Sequence, residues 1–271
     1  MTEESQTLPS FRVVAQNDAA DSGNKIHDEE TAKRLGFSGA LVPGITVFAY
    51  AFQPLIARFG PSFLESGLLS LRLRRPVYEG EEVHTESRAL SGGDAEERFE
   101  VTVRNAGGDI CAIGESRHPV PAQERAALAS DPPERAPLPE PLRPATPESL
   151  NEQPLLGTLD AKTRTEQLQS LREQLDDSSQ LMQEYVHPAW LLRQANIAID
   201  RNLDLGPWIH VSSDVALLGA VKIGEPFSVR TRAGALYNRK GNDYADFDVA
   251  VVTDRPVMRI VHRAIYRLGD T

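Results

Sequence analysis

Residues 21–44 decide the fold. They read Asp21-Ser22-Gly23-Asn24-Lys25-Ile26-His27-Asp28, a short polar helical run from Glu29 to Leu35, then Gly36-Phe37-Ser38-Gly39-Ala40-Leu41-Val42-Pro43-Gly44. Pro43 and Gly44 open an apolar segment, Ile45 to Phe59, in which Val47, Phe48, Ala51, Phe52 and Leu55 recur at helical spacing. A buried central helix preceded by a polar loop is expected. The surrounding apolar run, Ala40 to Ile56, contains Pro43, Gly44, Gln53 and Pro54, so it does not read as a membrane-spanning helix.

Outward from that helix, strand-like runs follow at Leu68 to Arg74, Glu82 to Leu90, Glu97 to Arg104 and Asp109 to Arg117, with one before the loop at Phe11 to Gln16. Turn residues separate them: Ser91-Gly92-Gly93-Asp94 and Asn105-Ala106-Gly107-Gly108. The same order recurs further on. A helix from Pro188 to about Asn202 precedes strand-like runs at Trp208 to Leu218, Pro226 to Leu236, Tyr244 to Thr253 and Val257 to Tyr266. A constant shift of 144 residues lays Val42 on Val186, Ala51 on Ala195, Leu73 on Leu217, Val77 on Val221, Gly80 on Gly224, Glu81 on Glu225, Arg88 on Arg232 and Ala89 on Ala233. The register is ungapped and shares a Val-x-x-Gly-Glu turn, which marks an internal repeat.

Between the halves, Pro119 to Pro154 holds ten of the 19 prolines. Proline fixes φ and lacks a donor, so an extended connector is expected, interrupted by one short helix at Gln123 to Ala129. The division is residues 1–120, a proline-rich linker at 121–154, and 155–271. Before His187 the second half shows a long charged helical run, Leu159 to Tyr185, and no loop comparable to residues 21–43.

The formal net charge is -10, from 29 basic and 39 acidic residues. No basic block is present to contact phosphates, which argues against nucleic acid and against a polybasic membrane anchor. The acidic, polar N-terminus does not read as a signal peptide. Cys111 is the single cysteine; it reads as a small buried hydrophobe on a strand, and a reducing cytoplasm is the expected location. No two histidines have close metal-ligand spacing, so no metal site is expected and no cofactor is assigned. There is no GxGxxG, phosphate loop or GxSxG.

The pattern Asn24-x-Ile26-His27, a helix containing Ala32, Gly36-Phe37, then Pro43-Gly44 opening an apolar helix, resembles the MaoC-like (R)-specific enoyl-CoA hydratases and dehydratases. The resemblance implies an α+β double hot-dog: two antiparallel sheets, each wrapped around a long central helix, joined into one larger sheet. It implies hydration or dehydration of an acyl thioester carried by CoA or an acyl carrier protein, with a homo-oligomer as a further expectation. His27 falls on the family's catalytic histidine and Asn24 on its asparagine. Ser22 falls on the position of the family's aspartate, so Asp21 is the nearest upstream carboxylate to partner His27. Gly44 falls on the glycine whose N–H polarises the thioester carbonyl, where glycine would let the ligand approach the backbone. Substrate contacts are assigned to Ser22, Asn24 and Gly44, and an acyl slot to the face bearing Val47, Phe48, Ala51, Phe52 and Leu55.

The chemistry asks for a base, an acid and a donor to an enolate oxygen. Histidine titrates near neutrality and can serve either proton role, and a helix N-terminus suits an oxyanion. Each residue also has a purely structural use. His27 precedes Asp28-Glu29-Glu30 and can simply open an acidic first turn. Asp21 can be a turn residue, Asn24 can tie a loop, and Gly44 can relieve crowding after Pro43. In the second half, Leu205 to Val211 resembles segments of hot-dog thioesterases. Asn196 or Asp200 would be the helix side chain of that chemistry, although Asp200 equally suits a solvated helix face. Thioester hydrolysis and non-catalytic acyl binding are the alternatives to hydration.

Overall fold

The computed structural model describes residues 7–19, 22–90 and 96–269. In chain order the first half runs β1 (Phe11–Val14), α1 (Glu29–Arg34), α2 (Gly44–Phe59), α3 (Pro61–Ser66), β2 (Leu68–Leu73), β3 (Glu82–Ala89), β4 (Glu97–Asn105) and β5 (Ile110–His118). The connecting region carries α4 (Ala122–Ala129), β6 (Arg143–Pro144) and α5 (Pro147–Glu152). The second half runs β7 (Leu155–Lys162), α6 (Thr165–Leu175), α7 (Gln180–Glu184), α8 (Pro188–Asp200), β8 (Leu203–Asp204), β9 (Ile209–Leu217), β10 (Pro226–Arg239), β11 (Asn242–Val252) and β12 (Pro256–Arg267).

Ten strands form one sheet in the order β1-β3-β4-β5-β2-β9-β12-β11-β10-β7. The order is a palindrome under the repeat. The two half-sheets join where β2 pairs antiparallel with β9, Leu69 opposite Val215 and Leu71 opposite Ser213. Helices α2 and α8 pack on each other and against the sheet. This is the α+β double hot-dog architecture. Phe48, Ala51, Phe52 and Leu55 are fully buried, each large apolar side chain worth about 1.5–3 kcal/mol against exposure. Pro54 lies inside α2 and cannot donate to the carbonyl four residues back. That carbonyl, Tyr50 O, accepts instead from the Thr85 hydroxyl of β3 at 3.1 Å.

The repeat extends to individual hydrogen bonds. Val42 N–H donates to Val77 O at 2.8 Å, and Val186 N–H donates to Val221 O at 2.8 Å. Tyr78 N–H donates to Glu81 Oε2 and Lys222 N–H to Glu225 Oε2, both at 2.9 Å. Gly80 and Gly224 sit at φ of +81° and +86°, a conformation that favours glycine.

The expected helical run Leu159 to Tyr185 is corrected. Residues Leu155–Lys162 form a strand antiparallel to β10, as β1 does to β3. The rest is two helices, with Leu168, Leu171 and Leu175 of α6 buried. The second half therefore does have a segment in the place of the 21–43 loop, folded as α6 and α7. No described helix is long and apolar enough to cross a membrane.

Candidate functional site

His27 closes a single 3-10 turn, Lys25–His27, capped by Asn24, whose Oδ1 accepts from Ile26 N–H at 3.3 Å. Asn24 also reaches the second half. Its Nδ2 donates to Trp208 O at 2.9 Å, and Trp208 N–H donates to its Oδ1 at 3.2 Å. The histidine turn is thus fastened to the start of β9. Asn17 Nδ2 donates to His27 O at 2.9 Å, and Asp28 caps α1 through Thr31 N–H at 2.9 Å.

The His27 Nδ1 lies 2.8 Å from Leu41 O. A carbonyl can only accept, so Nδ1 carries the proton and Nε2 is the lone-pair nitrogen. Burial lowers the pKa of His27. The bond to Leu41 O and the charge of Asp18 oppose that shift, while Arg193 adds to it. A neutral ring with its lone pair on Nε2 is a base.

Two cavities meet at this ring. The first, about 260 Å³, is walled by Ile26, Leu41, Val42, Val47, Leu73, Val77, Gly44 and His210, with Arg74 and Arg75 at its border. The second, about 420 Å³, takes in Asp18, Ser22, Arg193 and Asp200 beside apolar Ile45, Ile197 and Trp208. Asn24, His27, Asn196 and Trp208 border both. Asn196 Oδ1 is buried without a hydrogen-bond partner among the described residues, an acceptor facing where a ligand would lie.

Two carboxylates face the second cavity. Asp18 accepts from the Thr46 hydroxyl in the first turn of α2 at 2.8 Å and pairs with Arg193 of α8. Asp200, the last residue of α8, accepts from Trp208 Nε1 at 2.9 Å. Burial raises the Asp200 carboxyl to about 6 against a smaller opposing effect of the indole N–H. Asp200 is not on a solvated face, which corrects that reading.

Of the other expected site residues, Ser22 lies in the second cavity and its hydroxyl donates to Asn24 O at 3.3 Å. Asp21 lies outside the described residues. Gly44 borders the first cavity, and packing gives a reason for glycine there beside the expected one. A Cβ there would stand 2.4 Å from Leu73 Cδ1 and 2.8 Å from His210 Nδ1, so the bare Cα is demanded by packing. Its N–H meets no acceptor among the described residues, because the first bonds of α2 run from Thr46 and Val47 to Pro43 O. Of the expected acyl-slot residues only Val47 borders that cavity; the other four are core. Behind Gly44, His210 Nε2 contacts Ser213 Oγ at 2.8 Å and Ser213 Oγ contacts His262 Nδ1 at 2.9 Å, with the two rings stacked at 4.2 Å.

The equivalent place in the second hot-dog is filled. Leu168, Leu171, Leu175 and Met182 leave about 10 Å³ beside His187, room for at most one water. The open site is therefore lopsided: its histidine comes from the first hot-dog and Arg193, Asn196 and Asp200 from the helix of the second. Asp18 carries no local sequence signal, standing nine residues before His27. Asp200 is visible in sequence only as a polar residue on an apolar helix, and its setting depends on Trp208.

No protein-family model matches the chain, and no curated protein matches it. Solved structures do. One from Chloroflexus aurantiacus J-10-fl, provisionally described as a MaoC domain protein dehydratase, superposes with TM-score 0.62 at 10% identity over 98% of this chain and 96% of its own. A conserved hypothetical protein of Mycobacterium tuberculosis with a double hot-dog fold gives 0.60 at 13%, covering 97% and 96%. One from Lactobacillus plantarum, provisionally described as an oleoyl thioesterase, gives 0.56 at 13%, covering 98% and 99%. The chain is a double hot-dog protein. At these identities the likeness is one of fold.

Proposed function

We propose that this chain is an enzyme of acyl thioesters that interconverts 3-hydroxyacyl and 2-enoyl forms, as the MaoC-like resemblance around His27 implies. One observation carries the reading: a neutral His27, tautomer fixed by Leu41 O, borders a cavity that also holds a half-buried carboxyl, Asp200. A base and an acid stand on opposite hot-dogs around one space. The solved structures described as a dehydratase and a thioesterase support the thioester class.

In the dehydration direction the thioester lies at the junction of the cavities. The carbonyl oxygen meets Gly44 N–H at the positive end of α2. His27 Nε2 takes a proton from C2, and the electron pair moves onto the thioester oxygen. As the enolate collapses, the C2–C3 double bond forms and the C3–O bond breaks. The departing hydroxyl takes the Asp200 proton and leaves as water. The His27 imidazolium then returns a proton to Asp200 through solvent. Hydration runs the same steps backwards. Asp200 thus supplies the carboxyl that Ser22 does not, and Asp18 anchors Arg193 and raises the basicity of His27.

Thioester hydrolysis is the second reading, favoured by the same Asp200, which is ionised above about pH 6 and would then activate water. A panel of 3-hydroxyacyl-, enoyl- and saturated acyl-CoAs separates the readings. Absorbance of the conjugated enoyl thioester reports dehydration, and thiol trapping reports hydrolysis. Dehydration without thiol release is expected, with a roughly 10²- to 10⁴-fold loss in His27→Ala. Thiol release as the main product overturns the first reading. Tight acyl-CoA binding with no turnover makes the chain a binder.

A further inference from the structure

His210 of β9 is buried, and its ring borders the first cavity beside Gly44. Along a regular strand, residues 210 and 213 face opposite sides. Strand β9 carries a bulge instead: Arg263 pairs with Ser212 and Ala264 with His210, which leaves Val211 extra. The bulge turns His210 and Ser213 to the same buried side. There Ser213 Oγ stands between two imidazoles, 2.8 Å from His210 Nε2 and 2.9 Å from His262 Nδ1. The outer nitrogens, His210 Nδ1 and His262 Nε2, are buried without a hydrogen-bond partner among the described residues. Burial holds both rings below the ordinary histidine pKa, so both are neutral at pH 7.

A hydroxyl has one proton to donate. Between two neutral rings it donates to one and accepts from the other, which allows two arrangements. In the first, His262 Nδ1–H donates to Oγ, and Oγ–H donates to His210 Nε2. The His210 proton then lies on Nδ1, at the cavity, and His262 Nε2 is a lone pair in the core. In the second, both ring protons lie on Nε2, and His262 buries an N–H with no acceptor. Buried N–H groups without an acceptor are rarer than unfilled lone pairs. The first arrangement also puts its free N–H where a ligand oxygen can accept it.

The Cβ that Gly44 lacks would stand 2.8 Å from His210 Nδ1, and a Cβ is two bonds from its own backbone nitrogen. The Gly44 and His210 nitrogens are therefore close enough to share one oxygen. The repeat offers a comparison. Helix α8 begins with Pro188 where α2 begins with Gly44, and proline has no N–H. The counterpart of Ser213 opposite His262 is Leu69 opposite Ser116. Strand pairing does not require the imidazole cluster, and the filled copy has neither the helix N–H nor the cluster.

We propose that His210 Nδ1–H is a second donor to the thioester oxygen, acting beside Gly44 N–H, with Ser213 and His262 as positioning residues that fix its proton. The inference rests on the acyl-thioester reading above and adds to it a residue from the opposite hot-dog. As His27 takes the C2 proton, the electron pair moves onto the thioester oxygen and both N–H groups tighten on it. His210 keeps its proton throughout. A neutral imidazole polarises a carbonyl in this way.

The test uses the full chain. NMR of isotope-labelled histidine reads the tautomers. Infrared difference spectra of carbonyl-labelled butanoyl-CoA, which has no 3-hydroxyl to lose, read the bound thioester. Both His210 and His262 should carry the proton on Nδ1. The carbonyl stretch should be lower in wild type than in His210→Phe, which keeps a ring between Phe48 and His262. In that variant kcat for dehydration should fall about 10²- to 10³-fold with KM little changed, and His210→Gln, which offers an amide N–H, should recover part of the loss. Ser213→Ala should leave the His210 proton shared between its two nitrogens and lower kcat without weakening butanoyl-CoA binding. If His210→Phe does not fold, the wild-type tautomer and Ser213→Ala decide. The proposal is overturned by a His210 proton on Nε2 with butanoyl-CoA bound, by equal carbonyl stretches, or by dehydration that His27→Ala abolishes and His210→Phe leaves intact. A stretch that rises in His210→Phe, with no dehydration by wild type, keeps the donor and sinks the dehydratase reading instead.

Discussion

Asn24 holds the backbone of Trp208 from both sides, donating to its carbonyl at 2.9 Å and accepting from its N–H at 3.2 Å. These residues are 184 apart in sequence, so one buried amide sets the position of the histidine turn relative to the second hot-dog. It also ties His27 to Asp200, because the indole of Trp208 bonds the Asp200 carboxyl.

Replacing Asn24 with alanine leaves the Trp208 N–H and C=O buried and unpaired. Each lost buried partner costs about 1–3 kcal/mol. Asn24→Ala should lower the melting temperature by several degrees and reduce turnover beyond what the remaining folded fraction explains. Calorimetry beside single-turnover rates checks both. An active variant with unchanged melting would show that the clasp is idle.

Gly44→Ala tests packing against chemistry. The added methyl meets Leu73 Cδ1 and the buried His210 ring, and one of the two must shift toward the first cavity that both border. Overpacking of this kind costs roughly 1–3 kcal/mol. The variant should unfold at lower denaturant concentration with unchanged m-value, and Leu73→Ala in the same chain should restore part of the loss.

Ser22→Asp restores the carboxylate found in the resembled family, and here it should not raise activity. Asp200 already supplies a carboxyl to that cavity, and a third acidic group beside Asp18 and Asp200 adds like-charge repulsion. The new charge favours protonation of His27, moving the acidic limb of the pH–rate profile upward. A gain in dehydration rate would show that Asp200 is not the acid.

The profile itself has a predicted shape. Dehydration needs His27 neutral and Asp200 protonated. With the His27 pKa below 6.5 and the Asp200 carboxyl near 6, kcat/KM should peak in mildly acidic solution and fall on both sides. Asp200→Asn should lose rate and the alkaline limb together. A wild-type rate that keeps rising above pH 7 contradicts the assignment.

Much of this was legible in the sequence because repeats and periodicity are local properties. The 144-residue shift laid Val42 on Val186 and Val77 on Val221, residues that make the same backbone hydrogen bond in each half, and alternation located β2 to β5 and β9 to β12. The run from Leu159 to Tyr185 reads as helix because its apolar and charged residues fit a helix as readily as the end of an edge strand followed by helices. Only pairing with β10 decides the matter. The carboxylates were hidden for another reason. Asp18 and Asp200 acquire their surroundings from Arg193, Thr46 and Trp208, contacts made by tertiary packing, that of Asp18 with Arg193 only once the two hot-dogs meet. Spacing within one loop could indicate His27 and nothing about what faces it.

Stability against pH offers a test independent of catalysis. His187, His210 and His262 are buried, and burial holds all three imidazoles below their ordinary value, His187 at about 4 and His262 at about 3. Below pH 6.5 the unfolded chain takes up these protons and the native chain does not, so stability falls as pH drops. Asp200 acts oppositely. Its raised carboxyl binds a proton in the native state between about pH 6 and 4, which offsets one histidine. These three histidines less Asp200 contribute a slope of at most about 2–3 kcal/mol per pH unit over that window, to which His27 and His118, also lowered by burial, add. His187 caps α8 by accepting Ala189 N–H on Nδ1, a role asparagine also fills. His187→Asn should therefore keep the helix while flattening the slope by about one proton, and Asp200→Asn should steepen it by about one. Urea titrations at half-unit pH intervals measure both. Parallel curves for the three proteins would mean that these groups titrate alike in the folded and unfolded chain.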